Sequence, residues 1–94
     1  LKVIWTPEAE QDRWNIIDYI AAEDFAAAEK IDRQFNKIAT QISHFPFAGR
    51  EGEIIGTREM IPHSSYRLVH RVDNDVVWIL AVVHTSRQWP PENS

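Results

Sequence analysis

Along this chain the spacing of hydrophobic and polar positions changes once, near Pro46, from a helical period to an extended one. Lys2 to Trp5 is a short β-favouring run, and Thr6-Pro7-Glu8 follows as a helix start: Thr6 as N-cap, Pro7 at the first helical position and acids in the first turn. In that helix Ala9, Ile16, Ile17 and Ile20 share one face, Trp14 lies off it, and the pattern stops near Ala22. Asp24 is the next N-cap candidate. From Ala28 the apolar positions Ile31, Phe35, Ile38, Ile42 and Phe45 keep 3-4 spacing until Pro46 ends the helix. A link of a few residues predicts an antiparallel helical hairpin with one shared apolar face.

After the turn-rich FPFAGREG the pattern predicts three strands: Ile54 to Ile61, Tyr66 to Val72, and Val76 to His84. Pro62 and the following His-Ser-Ser separate the first two, and Asp73-Asn74-Asp75 makes the hairpin loop between the others. In the middle strand Arg67, Val69 and Arg71 point one way, and Tyr66, Leu68, His70 and Val72 the other. The last strand is apolar on both faces, as a central strand must be. The order β-α-α-β-β-β predicts an α+β fold over residues 1–94: a helical hairpin packed on one face of a mostly antiparallel sheet, with the other face left for function.

Composition narrows the function classes. A chain of 94 residues with 44% hydrophobic and 26% charged residues has room for one core and one compact site, and is not a disordered tail. The absence of cysteine excludes disulfides and thiolate metal sites and points to a reducing, cytoplasmic setting. The longest apolar run, Val76 to Val83, is too short to span a bilayer, so no membrane role is expected. The only methionine is Met60 and the chain opens at Leu1, so an initiator is expected to have been removed, replaced or trimmed.

The net charge of −4 argues against a generic nucleic-acid binder. Its distribution is uneven: residues 1–49 hold eight acids and five bases, whereas residues 50–91 hold five of each, and those bases are all arginine. Arg50, Arg58, Arg67, Arg71 and Arg87 can bind anions through two parallel N–H groups. Any anionic ligand is therefore expected on the second half.

Arg67 and His84 lie on neighbouring strands. Pairing Val72 with Val76 sets Arg67 opposite a position near Ala81, so that Arg67 and His84 can converge at one end of the sheet with Arg58 or Arg87 nearby. A metal-independent ribonuclease needs a base for the 2′-hydroxyl, cations for the phosphorane and an acid for the leaving oxygen, and a histidine with arginines meets that minimum. A structural histidine at a strand end and a solvated arginine face explain the same residues. Tyr66 and Trp89 are candidates for base stacking, or for the core and the tail respectively. His44, His63 and His70 have no metal-ligand spacing, and no phosphate loop, dinucleotide fingerprint or nucleophile elbow is present. No metal and no cofactor are expected.

Five segments together resemble one family. The opening VIWTPEAEQD with its later DYI, then FPFAGR, GTREM, YRLVHRV and the closing VVHTSRQWP are similar, in order and spacing, to the RelE/ParE superfamily of bacterial toxins. The resemblance implies the toxin of a type II toxin-antitoxin module, growth-inhibitory when free. It also implies a cognate antitoxin whose C-terminal segment lies as a helix across the helical hairpin, often with an added strand. Trp14, Tyr19 and Phe25, surplus to the core stripe, then become candidates for the antitoxin groove, and operator DNA is expected to be met through the antitoxin.

The superfamily divides by target. RelE-like members cut mRNA on the ribosome, and Arg67 and His84 match a strand arginine and a C-terminal histidine used in some of those branches. ParE-like members share the scaffold and poison DNA gyrase without nuclease activity, which leaves Arg58, Arg67, Arg71 and Arg87 as anion donors at a protein interface. The acidic balance, the lack of lysine after residue 50, Gly49-Arg50, GTRE and HTSRQWP resemble the ParE side. Ribosome-dependent RNA cleavage is the alternative, and a non-toxic binding domain on the same scaffold is the third reading.

Overall fold

A computed structural model describes residues 1–91. Its elements are β1 (Lys2–Trp5), α1 (Pro7–Ala21), α2 (Phe25–His44), β2 (Arg50–Glu51), β3 (Thr57–His63), β4 (Tyr66–Asp73) and β5 (Val76–His84). The five strands form one sheet in the order β1-β5-β4-β3-β2; β1 runs parallel to β5 and all other pairs are antiparallel. This is the expected α+β architecture with one additional strand, the two-residue β2.

Both helix starts follow from their caps. Thr6 Oγ1 accepts from the Ala9 N–H at 3.1 Å, and the Asp24 carboxylate accepts from the Ala27 N–H at 3.0 Å. The core lies between the hairpin and one sheet face: Ala9, Ile31, Phe35 and Ile42 from the helices meet Leu68, Val77, Ile79 and Val82. Ile16, Ile17, Ile20 and Ile38 flank it, half-buried. Arg13 ties the helices together from the side, ion-paired to Asp32 at 2.6 Å and bonded to Asn36, with its guanidinium over Trp5.

Four details depart from the pattern-based reading. Phe45 is exposed, because α2 ends at His44 and the backbone at Phe45 (φ −129°) carries its side chain off the buried stripe. The strand expected from Ile54 begins at Thr57, because Ile54–Gly56 form a turn: the Thr57 N–H and hydroxyl both bond the Ile54 carbonyl, and Gly56 has φ +90°. Pro62 does not end that strand. It sits in an irregular stretch of β3 beyond the reach of β2, where its missing N–H costs no ladder bond. The hairpin loop is also one residue shorter than expected, because Asp73 pairs with Val76 and Val72 with Val77, while Asn74 takes the left-handed conformation (φ 57°).

His70 is a fully buried core residue of β4. Its Nε2–H donates to the Pro46 carbonyl at 2.9 Å, tying the sheet to the end of α2, and its Nδ1 has no hydrogen-bond partner among the described residues. Burial pushes its pKa below the usual 6.5; the Pro46 bond opposes that shift and the Arg58 charge adds to it. The unfolded chain therefore takes up a proton near the ordinary pKa while the folded chain resists it. Stability is expected to be complete above that value and to fall as pH drops through it toward the lower folded value. Urea unfolding between about pH 7.5 and about pH 5.5 checks this: the loss seen in wild type should be reduced in His70→Gln, whose amide can still donate to Pro46.

Candidate functional site

The residues singled out in the sequence fall on two faces of the sheet, and a bulge decides which. Between Val69 and His70 the pairing of β4 with β5 slips: Val69 faces Ala81 and His70 faces Ile79, so Leu80 is an extra residue. One extra residue reverses the side-chain alternation. Before the bulge Val77 and Ile79 face the helices; after it Val82 does. His84, two residues further on, therefore points to the helix side, where it pairs with Tyr66 and meets that ring edge-on at 5.5 Å. Arg67 pairs with Val83 and lies on the far face. The expected convergence of Arg67 with His84 is thus not what the register produces: the two occupy adjacent rows on opposite sides of the sheet.

The backbone at the bulge is held by α1. β1 ends at Trp5, so β5 has no strand beside it beyond that point. The Val82 N–H donates instead to the Asp12 carboxylate at 3.1 Å, and the Thr6 hydroxyl reaches the Leu80 carbonyl at 3.4 Å. Desolvation raises the Asp12 pKa, the Val82 bond pulls it down and Glu8 pushes it up further. Asp12 was not among the residues singled out in the sequence, where it reads as one more acid on a polar helix face.

A half-open cleft of about 550 Å³ runs along this edge, lined by Asp12, Asn15 and Tyr19 of α1 and by Tyr66, His84 and Arg87. Within it Ser86 turns both its backbone N–H (3.1 Å) and its hydroxyl (2.7 Å) onto Nδ1 of His84. A backbone N–H can only donate, so Nδ1 is the acceptor and neutral His84 carries its proton on Nε2. His84 thus offers the cleft an Nε2–H donor, while its Nδ1 lone pair is turned toward Ser86.

The far face is organised around Glu59, whose side chain is only 2% exposed. A single oxygen, Oε1, accepts from Arg50 Nε at 3.2 Å and Nη2 at 2.9 Å and from Arg67 Nη1 at 3.4 Å, while Arg67 Nη2 donates to the Arg87 carbonyl at 2.6 Å. Arg67 therefore fastens the segment after β5 to the sheet. Arg71 is on the same face, opposite Thr57 and Trp78; it is exposed and makes no ion pair among the described residues. Arg58 belongs elsewhere: it pairs with His70, donates to the Gly49 carbonyl at 3.2 Å and lies against the Phe47 ring at 5.8 Å. Of the expected anion donors, the far face thus gathers Arg67 and Arg71 together with Arg50, while Arg87 lies in the segment that follows β5.

Trp14, Tyr19 and Phe25 are all exposed, at 61%, 79% and 68%. They do not form one stripe. Trp14 and Tyr19 stand about 140° apart around α1: Trp14 borders a groove with Trp5, Arg13 and Asp32, and Tyr19 borders the His84 cleft. A second exposed apolar group, Phe47, Ile54 and Ile55, gathers near the β2–β3 turn. Among the described residues no cluster of histidine and acidic side chains is arranged to hold a metal, and no helix is long and apolar enough to cross a membrane.

The fold is that of solved bacterial toxins. It matches a chain of the chromosomal ParDE TA system from P. aeruginosa with a TM-score of 0.78 at 20% identity, covering 89% of this chain and 95% of that one. A YoeB/ParE toxin from Agrobacterium tumefaciens matches at 0.64 and 16% identity over 89% and 98% of the two chains. The heterotetrameric YoeB-YefM toxin-antitoxin complex of Staphylococcus aureus supplies a third match at 0.60 and 18% identity, over 86% and 92%. In sequence, a Sinorhizobium fredii protein named "Putative toxin Y4kP" is 31% identical over 90 residues, 95% of this chain and 93% of that protein. Residues 3–89 match the family described as ParE toxin of type II toxin-antitoxin system, parDE. The chain belongs to that family of toxins.

Proposed function

We propose that this toxin acts by protein contact, poisoning DNA gyrase in the cytoplasm, and that a cognate antitoxin silences it. The observation that carries this reading is the separation of Arg67 and His84 onto opposite faces of the sheet by the Leu80 bulge. A ribonuclease of the kind weighed above needs a base and a cation on one phosphate. Here the histidine presents an Nε2–H to one cleft, and the arginine is held on the other face by Glu59 and the Arg87 carbonyl. Membership of the ParE family supports the same side of the superfamily.

The antitoxin follows from the family and from the surface. The Staphylococcus aureus protein of the same fold forms a heterotetrameric complex with YefM. In this chain Trp14, Tyr19 and Phe25 expose aromatic surface on the hairpin that its own core does not use, which suits a helix that orders on binding. Arg58, Arg71 and Arg87 are donors available to an acidic partner surface.

Brief expression without antitoxin tests the mechanism. The expected result is growth arrest with induction of the DNA-damage response, intact ribosome-bound message and, with purified protein, inhibited supercoiling. His84→Ala should leave the arrest in place. Codon-phased mRNA cleavage that disappears in His84→Ala or Arg67→Ala would reject gyrase in favour of the ribosome.

A further inference from the structure

We infer that Glu59 is a specificity-determining residue: its buried carboxylate keeps the forks of Arg50 and Arg67 from phosphodiester oxygens, so that the arginine face of the sheet discriminates against RNA. The inference rests on the protein-contact reading above and names the residue that enforces it on this face.

Phosphate is recognised by arginine through two N–H groups presented in one plane. Arg50 spends that edge, Nε and Nη2, on Glu59 Oε1. Arg67 spends Nη1 on the same oxygen and Nη2 on the Arg87 carbonyl, and its Nε is buried with no partner among the described residues. Its side chain is only 11% exposed, so a phosphate would have to break these bonds before reaching the guanidinium.

Charge tells the same way. With Arg71 the face holds three arginines, and the buried carboxylate paired with two of them sits where the local dielectric is low and its field acts most strongly on its neighbours. RNA affinity comes chiefly from phosphate neutralisation, so a buried anion at the centre of the cluster removes most of what an RNA backbone would gain. The position is also protected sterically. Gly49 (φ +88°) packs so closely on the Glu59 carbonyl and the Met60 sulfur that a Cβ there would clash, which keeps the chain leading to Arg50 against β3.

The test is Glu59→Gln, which keeps an amide oxygen for the two arginines and removes only the charge. Binding of the purified chain to fluorescein-labelled oligouridine of about twelve nucleotides is read by anisotropy from about 50 to about 200 mM salt. The variant is expected to bind about tenfold more tightly at the low-salt end. Its salt slope should steepen by about 0.7, the increment of about one phosphate contact for the single negative charge removed. A folded variant with wild-type affinity and slope overturns the inference.

Should Glu59→Gln fail to fold, the wild-type background still decides. Arg67→Met is expected to leave the residual RNA affinity unchanged while Arg71→Met lowers it, and equal losses from the two would show that Arg67 is not sequestered. Supercoiling is read separately. Wild-type protein that ignores gyrase and cuts ribosome-bound message removes the protein-contact reading, whereas an unchanged Glu59→Gln with gyrase inhibition intact removes only the role of Glu59.

Discussion

Replacing Phe35 by alanine is expected to lower the unfolding free energy by about 3–5 kcal/mol, the range for truncating a buried aromatic ring. Phe35 is fully buried at the centre of α2, where both helices meet the sheet, and its ring stands edge-on to Trp5 at 6.5 Å. Arg13 lies 5.6 Å from the Phe35 ring and 4.7 Å from Trp5, so one side chain anchors α2, the β1 strand and the interhelical ion pair with Asp32. Collapse of the surroundings into the vacated space would break those contacts, which places the cost toward the upper end. Small domains have roughly 5–15 kcal/mol in total, so the variant should be partly unfolded at growth temperature. Urea denaturation monitored by far-UV circular dichroism gives the midpoint shift. The exposed Phe45, treated the same way, is expected to cost under about 1 kcal/mol, and comparable losses at the two positions would contradict the packing described here.

That contrast also shows how far the sequence could be read. The helical hairpin was legible because each of its signals is local: Thr6 and Asp24 as caps, Pro7 at the first helical position, and an apolar period from Ala28 to Ile42 that no strand could satisfy. The strands were legible as runs of β-branched and apolar residues, and the positions of β4 and β5 follow from them. Register was not. It depends on a two-residue loop and on the Leu80 bulge, and a bulge adds a residue without any compositional mark. Because face assignment reverses with each slipped residue, the shorter loop alone would have set His84 on the side of Arg67, and the Leu80 bulge returns it to the side of Tyr66. For the same reason the candidate site was legible as an inventory of arginines and a histidine but not as an arrangement. Glu59 was overlooked because an acid inside GTREM looks like the polar half of an alternating strand, and only the fold shows that its face is closed.

The Glu59–Arg67 pair itself allows the second large prediction. Glu59→Leu is expected to lower stability by about 3–5 kcal/mol, because it leaves the Arg67 guanidinium charged and mostly buried with only the Arg87 carbonyl to meet it. Arg50 adds little to that cost, since its side chain is 62% exposed and can return to water. Arg67→Met alone should cost less, because Glu59 keeps both of its bonds to Arg50. The double variant Glu59→Leu with Arg67→Met removes both charges and fills their place with apolar side chains, and should recover most of the loss. A double-mutant cycle on urea midpoints measures the coupling. Strong coupling would mean that each charge is tolerated on this face only because the other is there, which is intelligible if the face must keep an arginine and yet withhold it from phosphate. Coupling near zero would mean that Arg67 swings into solvent once Glu59 is gone, and that the far face is an ordinary solvated arginine surface.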